Sequence, residues 1–253
     1  ASGNRVFFSA DNGVDGRELY RSAGGVTTQI RDIAPGSTSS DPRDLVVAGP
    51  RVYFSAFHPT SGRELWRTDG STAGTVLVKD IAAGTASSNP LELTAWNDNL
   101  VFTADRADRG REVYRFEPNV FNDAFIVKDI VPGSASSNPE FLTISNDVLY
   151  FVATSSDKGR EVWKSNGLSV NTDVLRDIVV GTVSSSPEDL IDVDGRLYFT
   201  ARTPQTGREL YTSTGTTATT LRVQDIQPGE YGSYPKDMSG VNGRLYFAAS
   251  DGS

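Results

Sequence analysis

The segment Gly-Arg-Glu, followed by Leu or Val and then Trp or Tyr, occurs five times in this chain, at residues 16–20, 62–66, 110–114, 159–163 and 207–211. The copies are about 48 residues apart, and each lies among four short strand-like segments. A unit of that size cannot bury both of its faces alone and needs a like neighbour on each side, as small sheets stacked radially provide. The repeat therefore predicts an all-β fold, a five-bladed β-propeller of four-stranded antiparallel blades. In the second copy residues 51–56, 63–68, 75–81 and 91–96 read as strands, separated by Gly-, Pro- and Asn-containing turns. In propeller lettering these are strands B, C and D of one blade and the inner strand A that follows.

The repeat runs from end to end, so the chain reads as one domain over residues 1–253, with copies at about 4–50, 51–99, 100–147, 148–195 and 196–243. The last inner strand, 235–241, is expected to sit beside the first B strand, 5–10, and join the two ends in one sheet. That leaves an extra strand at 244–253, which repeats the opening segment and would compete for the same slot. It implies either a longer array or a copy that pairs outside the ring.

Composition narrows the chemistry. The formal charge is −8 with no basic block, which removes the attraction that drives binding to phosphate backbones, so nucleic acid is not an expected partner. No apolar run approaches the roughly 20 residues of a membrane span, and residues 1–20 lack the pattern of a signal peptide, so the segment reads as soluble and mature, without membrane insertion. Cysteine is absent, which excludes disulfides, thiolate catalysis and Cys-ligated zinc. The single histidine, His58, lies in a loop of one copy only, an unpromising base for a catalytic triad or a zinc site.

Each repeated motif has an architectural and a binding reading. Asp-Ile recurs at Asp32, Asp80, Asp129, Asp177 and Asp225, usually after Lys or Arg, and suggests a network tying strand D to strand C or to the next blade. Alternation along strand C puts Glu64 and Trp66 on one face and Arg63 and Leu65 on the other. The aromatic at this position, Tyr20, Trp66, Tyr114, Trp163 or Tyr211, either fills the wedge between blades or offers a stacking platform for a sugar ring. Paired serines precede Pro in the D-to-A connection, as in Ser87-Ser88-Asn89-Pro90 and Ser136-Ser137-Asn138-Pro139. They fall on the same face as the Gly-Arg-Glu turns and either bond their own turn or face a ligand. The C-to-D loops of the opposite face differ in length and sequence, so one face is repeated and the other varied. Acidic B-to-C loops such as 11–16 and 105–108 raise the possibility of calcium, but other copies lack the carboxylates, and no metal or other cofactor is expected.

At Glu64-Leu65-Trp66-Arg67-Thr68-Asp69-Gly70-Ser71 the chain resembles the bacterial repeat family named for Glu-Leu-Trp-x-x-Asp-Gly-Thr, and the similarity continues through Gly74-Thr75, Val78 to Ile81 and Ser87 to Pro90. The other copies depart in the Asp-Gly-Thr section. The resemblance implies a secreted or cell-surface bacterial propeller, with no general catalytic residues to transfer.

Three functions follow as expectations. The first is a noncatalytic, lectin-like module with carbohydrate sites repeated around one face, formed by Arg17, Arg63, Arg111, Arg160 and Arg208 with Trp66, Trp163, Ser87, Ser88, Ser136 and Ser137. The second is an adhesive scaffold that binds cell-surface proteins through variable loops or assembles through the C-terminal strand. The third, an enzyme, would look to repeat-breaking acids on inner strands such as Glu92, Asp189 or Asp192, but near-equal copies disfavour it and no catalytic residues are expected.

Overall fold

The computed structural model describes residues 4–120 and 123–253. It divides into two compact units, residues 1–126 with 133–135, and residues 127–132 with 136–253. In the first unit, β1 (Arg5–Asp11), β2 (Arg17–Ala23) and β3 (Val26–Arg31) form a three-stranded sheet. It is followed by β4 (Arg43–Ala48), β5 (Arg51–His58), β6 (Gly62–Thr68) and β7 (Val76–Lys79), then by β8 (Leu91–Trp96), β9 (Asn99–Arg106), β10 (Gly110–Phe116) and β11 (Ala124–Ile126), each group a four-stranded antiparallel sheet in sequence order. The second unit contains β12 (Glu140–Ser145), β13 (Val148–Ser155), β14 (Gly159–Ser165) and β15 (Asp173–Val174), then β16 (Glu188–Val193), β17 (Arg196–Thr203), β18 (Gly207–Ser213) and β19 (Leu221–Arg222). Its last sheet has two strands, β20 (Lys236–Val241) and β21 (Arg244–Ala248).

Among the described residues there are thus four complete four-stranded blades, one of three strands and one of two, rather than five equal blades. The expected pairing of 235–241 with the first strand is corrected: β20 bonds to β21 in the register of every other A–B pair, with Val241 opposite Arg244. The two-residue turn between them makes that hairpin the nearest partner.

The inner position of strand A is visible within each unit, where β4 lies against β8, β12 against β16 and β16 against β20. In the second blade strand B, β5, is buried on both faces, as its continuous apolar run requires: Val52, Tyr53, Phe54, Ser55 and Ala56 are all at most 3% exposed. Alternation then sends the two faces of one blade into different cores. Phe54 and Trp66 pack with Leu19, Ile30 and Ile33 of the first blade, whereas Tyr53 and Leu65 pack with Leu100, Phe102 and Tyr114 of the third. An equivalent core in the second unit joins Tyr150 and Val162 to Phe199 and Tyr211. Strand D is the shortest, reduced to two residues in β15 and β19.

One feature was not legible in the sequence. Every inner strand carries a bulge near its start, where Asp44, Glu92, Phe141, Asp189 and Asp237 adopt φ of 55–58°. The bulge admits an extra residue, and each affected side chain is re-aimed by it.

Candidate functional site

The Gly-Arg-Glu motif is best understood residue by residue. Its glycines have positive φ, from 60° at Gly207 to 69° at Gly16. They also sit against the D-to-A connection: a Cβ at Gly62 would lie 2.0 Å from the Ala86 carbonyl oxygen, and one at Gly207 would lie 2.3 Å from the Gly232 nitrogen. No side chain fits there. The close approach lets the next backbone N–H, that of Arg17, Arg63 or Arg160, donate at 2.9 Å to the first serine of the connection, Ser39, Ser87 or Ser184. In the last copy Gly232 replaces that serine, and a backbone bridge from Arg208 to Gly232 takes its place.

The arginine side chains cross strand B toward the start of strand A. Arg63 donates to the carbonyls of Asp41 (2.9 Å) and Ser55 (3.4 Å) and pairs with the Asp41 carboxylate at 3.5 Å. Burial, followed by the nearby Arg43 cation, holds its pKa below the usual guanidinium value. Arg111 pairs with Asp105 at 2.5 Å, Arg160 with Glu140 at 2.5 Å and Arg208 with Glu188 at 3.0 Å. Arg17, in the three-stranded sheet, is exposed and donates to Ser9 O at 3.4 Å.

The glutamates are the most buried charged groups of the fold: Glu18, Glu64, Glu112, Glu161 and Glu209 are all 0% exposed. Glu64 accepts from the backbone N–H groups of Ile81 (3.2 Å), Ala82 (3.2 Å) and Ser88 (3.0 Å) and from the Ser88 hydroxyl (2.5 Å). Glu18 does the same with Ile33, Ala34 and Ser40. Glu161 has the serine contacts, to Ser185, but a longer bond of 3.4 Å from Ile178 N. Desolvation raises the pKa of Glu18 and Glu64 against the opposing effect of these donors. With the Asp177 carboxylate nearby as well, Glu161 is pushed up to about 7.

The Asp-Ile pair therefore acts differently from the network expected of it. The isoleucine N–H, not the aspartate carboxylate, meets the Gly-Arg-Glu glutamate. Asp32, Asp80 and Asp177 instead cap their own turns, accepting from Gly36, Gly84 and Gly181 at 3.0–3.1 Å. The cation before the aspartate is what reaches the next blade. Arg31 donates to Thr75 O, Lys79 to Ala124 O, Lys128 to Thr172 O and Arg176 to Thr220 O, at 2.5–2.8 Å. Arg31 also lies 6.0 Å from the Trp66 ring centroid and Lys128 lies 5.8 Å from that of Trp163. The fifth copy has Gln224 at this position.

Of the residues expected to bind a ligand, Trp66 and Trp163 are only 5% exposed and serve as wedges between sheets, so neither ring face is open to a sugar. Ser87 and Ser88 hold the Gly-Arg-Glu turn of their own copy, and Ser137 is fully buried. Ser137 O also accepts from Thr154 N at 2.8 Å, whereas its neighbour Ser136 is half-buried. The reading of the opposite face as varied also changes. Loops 68–75, 165–172 and 213–220 share one pattern, a Thr or Ser hydroxyl bonded at 2.7–3.0 Å to a threonine seven residues on and to the N–H of Gly70, Gly167 or Gly215. Different side chains reach the same geometry because the hydroxyl and the glycine carry it. The longer loop of the third blade includes Phe121 and Asn122, which lie outside the described residues.

The calcium-like loop 11–16 spends its oxygens on itself: Asp11 accepts from Gly13 N, and Asn12 accepts from Val14 N and Asp15 N, at 2.7–2.8 Å. His58 is bonded to Thr60 in its own turn through Nδ1.

Where the copies differ, a groove opens. Between the D-to-A connection of the second blade and the B-to-C loop of the third lies a cavity of about 710 Å³, lined by Asp80, Ile81, Ala82, Ala83 and Ala86 of the first segment and by Arg106 and Asp108 of the second. The other copies have Ala34-Pro35, Val131-Pro132, Val179-Val180 or Gln227-Pro228 where this one has Ala82-Ala83, and none has a B-to-C loop as densely charged as 105–109. Sequence reasoning read that loop only as a possible metal site. The pairing of small residues with a doubly charged loop was the available signal, but the two segments are more than 20 residues apart and only the fold brings them together.

No protein-family model and no curated protein matches this sequence. Among solved structures, one of two prolyl endopeptidases matches with a TM-score of 0.54 at 13% identity over 88% of this chain and 34% of its own. An acylaminoacyl peptidase of Pyrococcus horikoshii matches with a TM-score of 0.50 at 9% identity over 98% of this chain and 40% of its own. The β-propeller domain of the Trilobed protease of Pyrococcus furiosus, which has an open velcro topology, matches at 0.49 and 11% identity over 97% and 71%. This chain thus spans little more than a third of the first two. The likeness to the first two is one of fold, and because both are peptidases the expectation of a chain that is no enzyme no longer stands. At such identities the likeness bears on the fold alone, and no catalytic residue is carried across.

Proposed function

We propose that this chain is a propeller-class recognition module that holds its ligand in the groove between the 80–87 connection and the 105–110 loop. Support comes from one observation: the repeated polar groups are engaged in bracing blades, while the copies diverge where the groove opens. Equal sites around a ring would need free copies of the same residues, whereas a single groove in a broken repeat does not. A volume of about 710 Å³ falls within the range of small-molecule sites, about 300–1,000 Å³. The reading is tested by screening carbohydrate and short-peptide panels by NMR against the wild type and against Ala83→Trp, which fills the groove. Ligands whose shifts map to residues 80–87 and 105–110 and vanish in the variant support it. Binding unaffected by the variant, or none at all, overturns it.

A second reading, a scaffold that engages protein partners, is favoured by the exposed aromatic side chains of the second unit. Tyr231 is 71% exposed, Tyr234 59% and Tyr246 55%, and Tyr246 lies on β21, which has a partner on one edge only among the described residues. Retention of a cell-surface protein by the wild type but not by Tyr234→Ser/Tyr246→Ser would favour it. In either reading the module is proposed to act outside the cell, at the surface or in secreted form.

A further inference from the structure

We infer that the groove takes a short peptide with free termini, an inference that rests on the recognition reading above and names its ligand. The charge states of the rim lead to this class. Lys79 is held by Asp123 at 3.0 Å and by the Ala124 carbonyl, and Asp105 is held by Arg111 at 2.5 Å, so neither is available. Asp108 pairs with Arg106 at 2.8 Å and with Arg109 at 3.8 Å, yet the three side chains are 56%, 47% and 41% exposed. An ion pair in that setting contributes at most about 1 kcal/mol, so a ligand carrying both charges can replace it at little cost. A peptide carboxylate matches the guanidinium fork of Arg106, and an ammonium group matches Asp108.

Asp80 adds to the ammonium end. One of its oxygens accepts from Gly84 N at 3.0 Å, and the carboxylate remains exposed at the rim. Among the residues that line the groove, Lys79 and Arg106 stand against Asp80, Asp105 and Asp108, an excess of anion that favours ligands with an ammonium group and disfavours acidic sugars. The overall charge of −8 acts in the same direction at longer range. Beside these charges the lining is hydrocarbon from Ile81, Ala82, Ala83, Ala86 and Ala107, and suits small apolar side chains rather than the hydroxyl-covered face of a sugar.

The test uses the whole chain and L-alanyl-L-leucine, followed by isothermal titration and amide chemical shifts. Saturable shifts at Ala82, Ala83 and Ala107 are expected. N-acetylation with C-amidation of the dipeptide should weaken binding by about tenfold or more, because both charged contacts are lost. Arg106→Gln and Asp108→Asn should each weaken it several-fold without moving the melting temperature, since both side chains are exposed. Equal binding of capped and uncapped dipeptide, or of wild type and both variants, overturns the inference. Binding of glucuronate or a neutral hexose in the groove while the dipeptide is silent overturns the ligand class and leaves the recognition reading standing. Silence toward every probe removes both.

Discussion

Glu161 offers a quantitative check on the buried brace. Its carboxyl is 0% exposed, and burial, followed by the Asp177 charge, raises its pKa from 4.5 to about 7. A raised carboxyl pKa means that the folded state holds a proton the unfolded state has released. Stability from this group is therefore fully present below about pH 4.5 and is lost as pH rises to about 7, beyond which it is level. At 1.36 kcal/mol per unit, the interval corresponds to about 3 kcal/mol. Glu161→Gln keeps the shape of the protonated acid: its carbonyl can accept from Ser185 N while its amide donates to the Ser185 oxygen. Urea unfolding of wild type and variant across pH 4.5–8 isolates the group, because the other titrations are common to both. The wild type should lose about 3 kcal/mol relative to the variant over that range, with most of the change complete by pH 7. Parallel profiles would refute the reasoning and show that the surrounding donors fully compensate the burial.

Other outcomes follow from the same contacts. Gly62→Ala places a Cβ 2.0 Å from Ala86 O at φ 65° and should lower stability by roughly 3 kcal/mol or more, seen in a thermal melt. Lys128→Met removes the bond to Thr172 O and the contact with Trp163, and should cost about 1–2 kcal/mol in chemical denaturation while perturbing tryptophan emission. With Trp66, Trp96 and Trp163 at 5–6% exposure, native emission should be blue-shifted and poorly quenched by acrylamide, and strong quenching that a sugar relieves would restore the stacking platform. Ser88→Ala strips the 2.5 Å hydroxyl bond from the buried Glu64 and should cost about 1.5–3 kcal/mol at neutral pH, less in acid where Glu64 is protonated.

The repeat was sufficient to predict strands β5, β6 and β8 within two residues, the antiparallel order A-B-C-D and the opposite facing of Leu65 and Trp66. These are local consequences of period-two alternation and turn residues, which one copy displays and five copies confirm. Three things depended on contacts between segments far apart in the chain. Glu64 finds Ile81 and Ser88 across 17 and 24 residues, Arg31 finds Thr75 across 44, and the hydroxyl-and-glycine loops share a geometry that their sequences conceal. A repeated polar residue looks the same in sequence whether it faces a ligand or a buried backbone amide. Burial and hydrogen-bond partners separate the two, and both are properties of the packed blades. Sequence alone therefore determined the repeat and the composition of its blades. The tertiary structure decided that Gly-Arg-Glu is a brace, that β20 pairs with β21, and that the groove lies where the second and third copies cease to match.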